Sequence, residues 1–101
     1  MSGILNKYGI NEKVYNNLLV YFEKEKDINK VILFGSRAKG NARINSDIDL
    51  CIDCSKKARY KIVENIDDII GIYSSDILFS DSLNLEVKEQ IDKYGIEIYS
   101  I

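Results

Sequence analysis

The sequence predicts a mixed α/β domain in which about four strands form one sheet packed with helices. Segments with apolar residues at helical spacing alternate along the chain with short segments whose apolar runs or alternation are typical of strands. Length is the second observation, because 101 residues are enough for one hydrophobic core and too few for two. We therefore expect a single domain over residues 1–101 with elements in the order α-β-β-α-β-α-β.

The first half of the chain contains one predicted helix and two predicted strands. Asn11 is of a residue type that caps helix N-termini, and apolar residues at helical spacing follow it to about Lys26, which predicts a first helix. The continuous apolar run over residues 31–34 predicts a strand buried on both faces. Residues 46–54 alternate between apolar and polar, which predicts a second strand with one core face and one face of carboxylates.

The second half contains two predicted helices and two predicted strands. Residues 56–70 have helical apolar spacing, and residues 72–79 are rich in strand-forming types. The next helix begins near Asp81 or Ser82 as its N-cap, and residues 96–101 form the last predicted strand. Each of these helices ends at a glycine, Gly71 or Gly95.

Histidine is absent from the chain, and this absence limits the chemistry available to it. Ser-His-Asp and Cys-His pairs and an imidazole base all need histidine, and without it the two cysteines cannot complete a usual zinc-ligand set. Cys51 and Cys54 are the only cysteines and form a C-x-x-C motif, which a redox pair or half a zinc site would share. They point to opposite faces of a predicted strand, so we expect two partly buried thiols in a reducing compartment.

Charge and hydropathy exclude two further classes of function. The net charge is -2 and the sequence pI is about 5.1, so we expect no direct nucleic-acid binding. No apolar run approaches the roughly 20 residues that a membrane span needs, and no signal-peptide pattern follows Met1. The sequence therefore predicts a cytoplasmic protein without a membrane partner.

Residues 35–40, GSRAKG, have the composition of a phosphate-binding loop. A glycine at the end of a buried strand allows a sharp turn in which backbone N–H groups approach an anion, and Ser36 adds a hydroxyl donor. Arg37, Lys39 and Arg43 are the basic residues of this connection. They are either phosphate contacts or members of an ordinary polar loop.

Three aspartates form the second half of the predicted site. Asp47 and Asp49 are two residues apart on a strand, so they share a face with Cα atoms roughly 6 to 7 Å apart. Such a pair is either neutralised by a cation, for which magnesium is the fitting ion, or left in solvent at a strand edge. Asp76 is a lone carboxylate beside an apolar run, which is costly unless it faces a site. If Ser36 and Asp47 contact one nucleotide, their strands are most simply antiparallel neighbours.

The spacing of these motifs resembles a known family. Gly35-Ser36, ten intervening residues and Asp47-Ile48-Asp49 match the GS-x10-D-x-D signature of the DNA polymerase β-like nucleotidyltransferase superfamily. The frame from GSRAKG to SDIDL is most similar to its minimal nucleotidyltransferase (MNT) domains, the MntA-like antitoxins of HEPN/MNT toxin–antitoxin pairs. The resemblance covers nearly the whole chain and implies a polymerase β-like palm fold.

The resemblance also implies an activity, which is magnesium-dependent transfer of AMP from ATP to a hydroxyl. By the same resemblance Gly35 and Ser36, with Arg37 and Lys39, bind the nucleotide. Asp47, Asp49 and Asp76 are its implied catalytic and metal-binding residues, holding two Mg²⁺ ions, with Asp76 also assisting deprotonation of the acceptor. The implied partner is a HEPN toxin modified on a tyrosine. Two alternatives stay open: a binding module that covers a partner's active site without catalysis, and a nucleotidyltransferase acting on small molecules.

Overall fold

A computed structural model describes residues 8–101, which form four strands and four α-helices. The strands are β1 (Ile28–Phe34), β2 (Ile48–Cys54), β3 (Ser75–Phe79) and β4 (Ile96–Ser100). The helices are α1 (Glu12–Lys24), α2 (Gly35–Lys39), α3 (Arg59–Ile70) and α4 (Leu85–Tyr94). Single 3₁₀ turns over Lys56–Ala58 and Ser80–Ser82 follow β2 and β3. The mixed α/β class and the predicted strands are confirmed, whereas the short helix α2 was not predicted as a separate element.

The strands form one mixed sheet in the order β3-β2-β1-β4. β1 is antiparallel to both β2 and β4, which confirms the predicted antiparallel pairing of the first two strands. β2 and β3 are parallel, and α3 makes the crossover between them. Because β1 ends where β2 begins, the turn after β1 lies next to the first residues of β2.

The hydrophobic core joins α1 and α3 to the central strands β1 and β2. Leu18 and Phe22 of α1 and Ile66 of α3 are fully buried, as are Val31 of β1 and Leu50 of β2. The alternation in β2 places Leu50 in this core while its neighbour on the opposite face carries a carboxylate. The predicted apolar face of β2 is therefore confirmed. β1 differs from the prediction, because only alternate residues of its apolar run are fully buried.

The predicted N-cap of α1 is confirmed, and the predicted start of α4 is wrong. The Asn11 side-chain oxygen accepts hydrogen bonds from the backbone N–H groups of Lys13 and Val14, at 2.9 and 3.3 Å. α4 is capped by Asn84 rather than by Asp81 or Ser82. The Asp81 carboxylate instead accepts a hydrogen bond from the Arg59 guanidinium and is committed to a contact with α3.

The start of β3 also differs from the prediction. Residues 71–74 form the turn between α3 and β3, and the Tyr73 N–H donates to the carbonyl of Ile70 at 3.2 Å. Ile72, predicted to lie in the strand, is 96% exposed in this turn. α1 ends at Lys24, two residues before the prediction, because Glu25 has an extended backbone. Within residues 8–101, no helix has the length and apolar character to cross a membrane.

Candidate active site

The turn after β1 brings Gly35 against the carboxylate of Asp49. Gly35 has a φ of 74°, a backbone conformation that favours glycine. A Cβ at this position would overlap the Asp49 carboxylate oxygen Oδ2. The first residues of α2 are thus held directly beside a site carboxylate, and Gly35 is the residue that allows this approach.

The parallel pairing of β2 and β3 places Asp76 in register with Asp49. Asp49 is half-buried, whereas Asp76 and Asp47 are exposed. Burial, followed by the charges of Asp76 and Asp47, raises the pKa of Asp49 to about 6, and Arg37 partly opposes this rise. The three predicted aspartates are therefore near enough for the charges of Asp47 and Asp76 to raise the pKa of Asp49. They lie at the end of the sheet where β2 and β3 begin.

The carboxylates suit magnesium by their chemistry. They supply hard oxygen ligands, and Mg²⁺ commonly binds through one or two carboxylates and completes its coordination with phosphate oxygens and water. Among residues 8–101, however, no three Asp, Glu, Cys or His side chains are close enough together to hold a metal ion. Mutual repulsion opposes closer approach of like charges. A metal site on Asp47, Asp49 and Asp76 stays a prediction.

Arg37 does not share the exposed surface of this site. Its side chain is 2% exposed, and Nη2 donates to the carbonyl of Ser46 at 2.6 Å. Nη1 donates to the carbonyl of Tyr8 at 3.2 Å, and the guanidinium carbon lies 5.4 Å from the Tyr73 ring centroid. The structure thus places this predicted nucleotide ligand beneath the site, where it ties the segment before Asp47 to two other parts of the chain.

Lys39 and Ser36 lie on the accessible side of the same turn. Lys39 is exposed, with Nζ 4.9 Å from the ring centroid of Tyr94, and Ser36 is partly exposed. A recess between α2 and α4 adjoins them and is lined by Phe34, Gly35, Lys39, Glu86, Val87 and Gln90. The α4 residues of this recess carry no sequence motif, so only the fold reveals that they lie beside the predicted phosphate loop.

The two cysteines are free thiols, as expected from the sequence. Cys51 is buried and Cys54 is partly buried. Burial is the main cause that raises the pKa of both thiols above the usual range. They are therefore protonated and weakly reactive at neutral pH.

A family model and a curated relative match the chain. The model for "Polymerase beta, Nucleotidyltransferase" matches residues 16–101. The chain is 28% identical over 78 residues to "Putative protein adenylyltransferase MJ0141" of Methanocaldococcus jannaschii. That match covers 70% of this chain and 79% of the relative.

Solved structures share the arrangement of strands and helices. A chain in the crystal structure of a toxin–antitoxin with AMP-PNP matches with a TM-score of 0.66 and 18% identity, covering 89% of this chain and 74% of that one. A chain in the structure of a tri-AMPylated Shewanella oneidensis HEPN toxin in complex with MNT antitoxin matches with a TM-score of 0.62 and 15% identity, over 87% and 71%. A chain of the toxin–antitoxin MntA–HepT gives 0.61 and 16%, over 87% and 71%. At these identities the likeness establishes the fold.

Proposed function

This chain belongs to the polymerase β nucleotidyltransferase family, and from that premise we propose that it transfers AMP from ATP to a hydroxyl of a partner protein. The observation that carries the proposal is the register of the parallel strands, which sets Asp76 beside Asp49 while Gly35 touches the same Asp49 carboxylate. The proposed phosphate-binding turn thus lies beside Asp49, and Asp49 lies beside Asp76. The adenylyltransferase name of the relative and the AMP-PNP in a neighbouring structure support AMP as the transferred group.

The proposed reaction breaks a phosphoanhydride bond of ATP and forms a phosphate ester bond to the acceptor. The acceptor oxygen forms a bond to the α-phosphorus of ATP, and the bond between that phosphorus and the oxygen bridging to the β-phosphate breaks. Pyrophosphate leaves with the bonding electron pair. Asp76 is exposed on β3, an edge strand, where an incoming hydroxyl has access to it, and in this proposal it accepts the proton of that hydroxyl.

The remaining residues bind and orient the nucleotide. Ser36 and Lys39 bind the phosphates, and the missing side chain at Gly35 lets their turn lie directly against the Asp49 carboxylate. Asp47 and Asp49, with Asp76, would hold two magnesium ions. Magnesium, when bound, would supply positive charge that offsets the negative charge of the triphosphate. Catalysis in this proposal depends on positioning and electrostatics, so it needs no histidine.

The proposed acceptor is a tyrosine of a HEPN-family toxin, and the chain acts as its cytoplasmic antitoxin. Two matching structures support this proposal, since one is described as an MNT antitoxin with an AMPylated HEPN toxin and the other as MntA–HepT. The antitoxin role follows if the modification inactivates the toxin.

Labelled transfer tests the proposal directly. The chain is incubated with ATP labelled at the α-phosphate, Mg²⁺ and a HEPN-family protein from the same genome, and we expect label on a tyrosine of the acceptor. The double change Asp47→Ala and Asp49→Ala should abolish labelling. The control is Asp53→Ala, which removes an exposed carboxylate near the far end of β2 and should leave labelling unchanged. Transfer that survives the double change would contradict the proposed chemistry.

A second candidate is a binding module that covers a partner's active site without catalysis. It is favoured by the separation of the carboxylates, because no three potential ligands in residues 8–101 are gathered for a metal. Isothermal titration with ATP and Mg²⁺ separates the candidates. Saturable binding supports the transferase, and no detectable heat with intact, folded protein supports the module.

A further inference from the structure

Two isoleucines lie almost fully exposed near the carboxylates, in different loops. Ile44, between α2 and β2, is 91% exposed, and Ile72, between α3 and β3, is 96% exposed. Both line one recess together with Asn45, Ser46, Tyr73 and Ser74. Exposing apolar side chains to water is unfavourable, and an exposed cluster with polar neighbours is typical of an interaction site.

This recess opens beside the proposed active site. The loop that carries Ile44 leads through Ser46 directly into Asp47, and the turn that carries Ile72 leads through Ser74 into β3. The two loops are joined by a hydrogen bond from the N–H of Ile48 to the carbonyl of Ser74, at 2.9 Å. The recess therefore adjoins the ends of β2 and β3 where their carboxylates stand, on the side of the edge strand β3.

The recess is held in shape by one buried side chain. Arg37 donates to the carbonyl of Ser46 at 2.6 Å and lies over the ring of Tyr73, so it contacts both loops. The Ser46 hydroxyl accepts from the N–H of Arg43 at 2.8 Å, and the Tyr73 hydroxyl accepts from the N–H of Asn11 at 2.9 Å. These contacts preorganise the two loops, and a preorganised surface loses less entropy on binding.

We propose that the recess between Ile44 and Ile72 docks the segment of the acceptor protein that carries the modified hydroxyl. An apolar side chain of that segment packs against the two isoleucines while the neighbouring hydroxyl approaches Asp76. This inference rests on the proposed function, which requires an acceptor protein to cover the surface around the carboxylates. None of the six lining residues is charged, so the recess suits a peptide segment with an apolar side chain rather than a phosphate-bearing ligand. The backbone groups of that peptide would form hydrogen bonds with the serines and the asparagine of the recess.

The test compares a double variant with a matched control. We expect Ile44→Ser with Ile72→Ser to raise the Kd for the HEPN-family acceptor protein by at least about tenfold, because central apolar contacts dominate such interfaces. The Kd for ATP with Mg²⁺ should change by less than about twofold, since no lining residue belongs to the proposed nucleotide site. The control is Ile101→Ser. Ile101 is 85% exposed, and its N–H donates to the carbonyl of Asn29 at the opposite end of β1, so this change should leave both constants unchanged.

Several outcomes would overturn the docking proposal. It fails if the double variant binds the acceptor as the parent does, if Ile101→Ser weakens binding equally, or if the parent does not bind the acceptor. Thermal melts of all variants show whether they fold. Failure of the proposed function gives a different result. It would appear as absent ATP binding, or as label transfer that survives the loss of Asp47 and Asp49. The acceptor Kd values of the parent and the double variant would still decide whether the isoleucines dock the partner.

Discussion

At the scale of single residues, Gly35 and Asp49 define the centre of the proposed site. The backbone of Gly35 has a positive φ, and its missing side chain leaves the space that the Asp49 carboxylate occupies. Asp49 itself is half-buried beside two other carboxylates, which disfavours its charged form. The charge of Asp49 therefore has a cost in stability, and the proposed function explains why it is placed there.

Replacement of Gly35 by alanine should destabilise the fold by about 2–4 kcal/mol. The variant strains a positive φ and also forces the Asp49 carboxylate to move. Gly40→Ala is the matched control, because Gly40 has a φ of 82° and its added Cβ would meet no atom of the described chain within 4 Å. Urea unfolding of both variants measures the difference, and equal losses would show that the contact with Asp49 has no energetic effect.

Replacement of Asp49 by asparagine should stabilise the metal-free protein at neutral pH. The pKa of Asp49 is raised from 3.8 to about 6 in the folded protein, so between these values the folded state binds more protons than the unfolded state. Stability therefore falls as pH rises through this window, by at most about 3 kcal/mol, and stays lower above it. Asp49→Asn should lose this fall, as measured by urea unfolding at pH 4 and pH 7.5 with chelator present.

Asp53→Asn is the control for that measurement, since Asp53 is an exposed aspartate of the same strand. Its pH dependence should match that of the parent protein. If the parent and Asp49→Asn show the same change in stability between the two pH values, the raised pKa of Asp49 is contradicted.

At the scale of elements, the short helix α2 contributes two basic residues with different surroundings. Arg37 is buried and donates to the carbonyls of Tyr8 and Ser46, whereas Lys39 is exposed at the edge of the recess between α2 and α4. Two residues of one short helix thus supply a buried donor to the fold and an exposed cation to the proposed site. Sequence alone gives both residues the same interpretation.

Arg37→Met should destabilise the protein by about 2–4 kcal/mol, because two hydrogen bonds from a buried guanidinium to the carbonyls of Tyr8 and Ser46 are lost. Lys39→Met should leave stability within about 0.5 kcal/mol and weaken ATP binding instead, since surface substitutions have small effects on folding. Urea unfolding and isothermal titration measure the two effects. If Arg37→Met kept full stability and lost only ATP affinity, Arg37 would be a phosphate ligand rather than a loop anchor.

At the scale of the whole molecule, the sheet gathers negative charge at one end, where β2 and β3 begin. Asp49 and Asp76 lie on two strands linked by α3, and Asp47 directly precedes the first of these strands. A divalent cation that binds there would stabilise the folded state, because the unfolded chain does not hold these carboxylates together.

We therefore expect Mg²⁺ to raise the melting temperature of the parent protein at pH 8. At a concentration about 100 times its Kd, a ligand specific to the folded state adds about 2.7 kcal/mol. Asp47→Ala with Asp49→Ala should remove the increase, and NaCl of equal ionic strength should not reproduce it. A melting temperature that does not respond to Mg²⁺, with or without ATP, would contradict metal binding at this site.

The order and type of the elements were largely predictable from local sequence. The alternation in β2, the apolar spacing of α1 and α3 and the Asn11 cap depend on residues near one another in the chain, and such patterns indicate local structure directly. The family resemblance carried by Gly35-Ser36 and Asp47-Ile48-Asp49 is confirmed by the family model. Local patterns failed at α4, where Asn84 caps the helix and Asp81 is bound to Arg59 instead.

Local sequence patterns were thus sufficient to predict the fold class and two motifs of the proposed site. Three further facts became visible only in the folded chain: Asp76 stands beside Asp49, Arg37 is buried, and Ile44 and Ile72 line one recess. The physical reason is that each of these facts depends on the register and packing of segments far apart in the chain. Spacing within one segment specifies which face a side chain occupies, whereas the pairing of β2 with β3 specifies what that face meets.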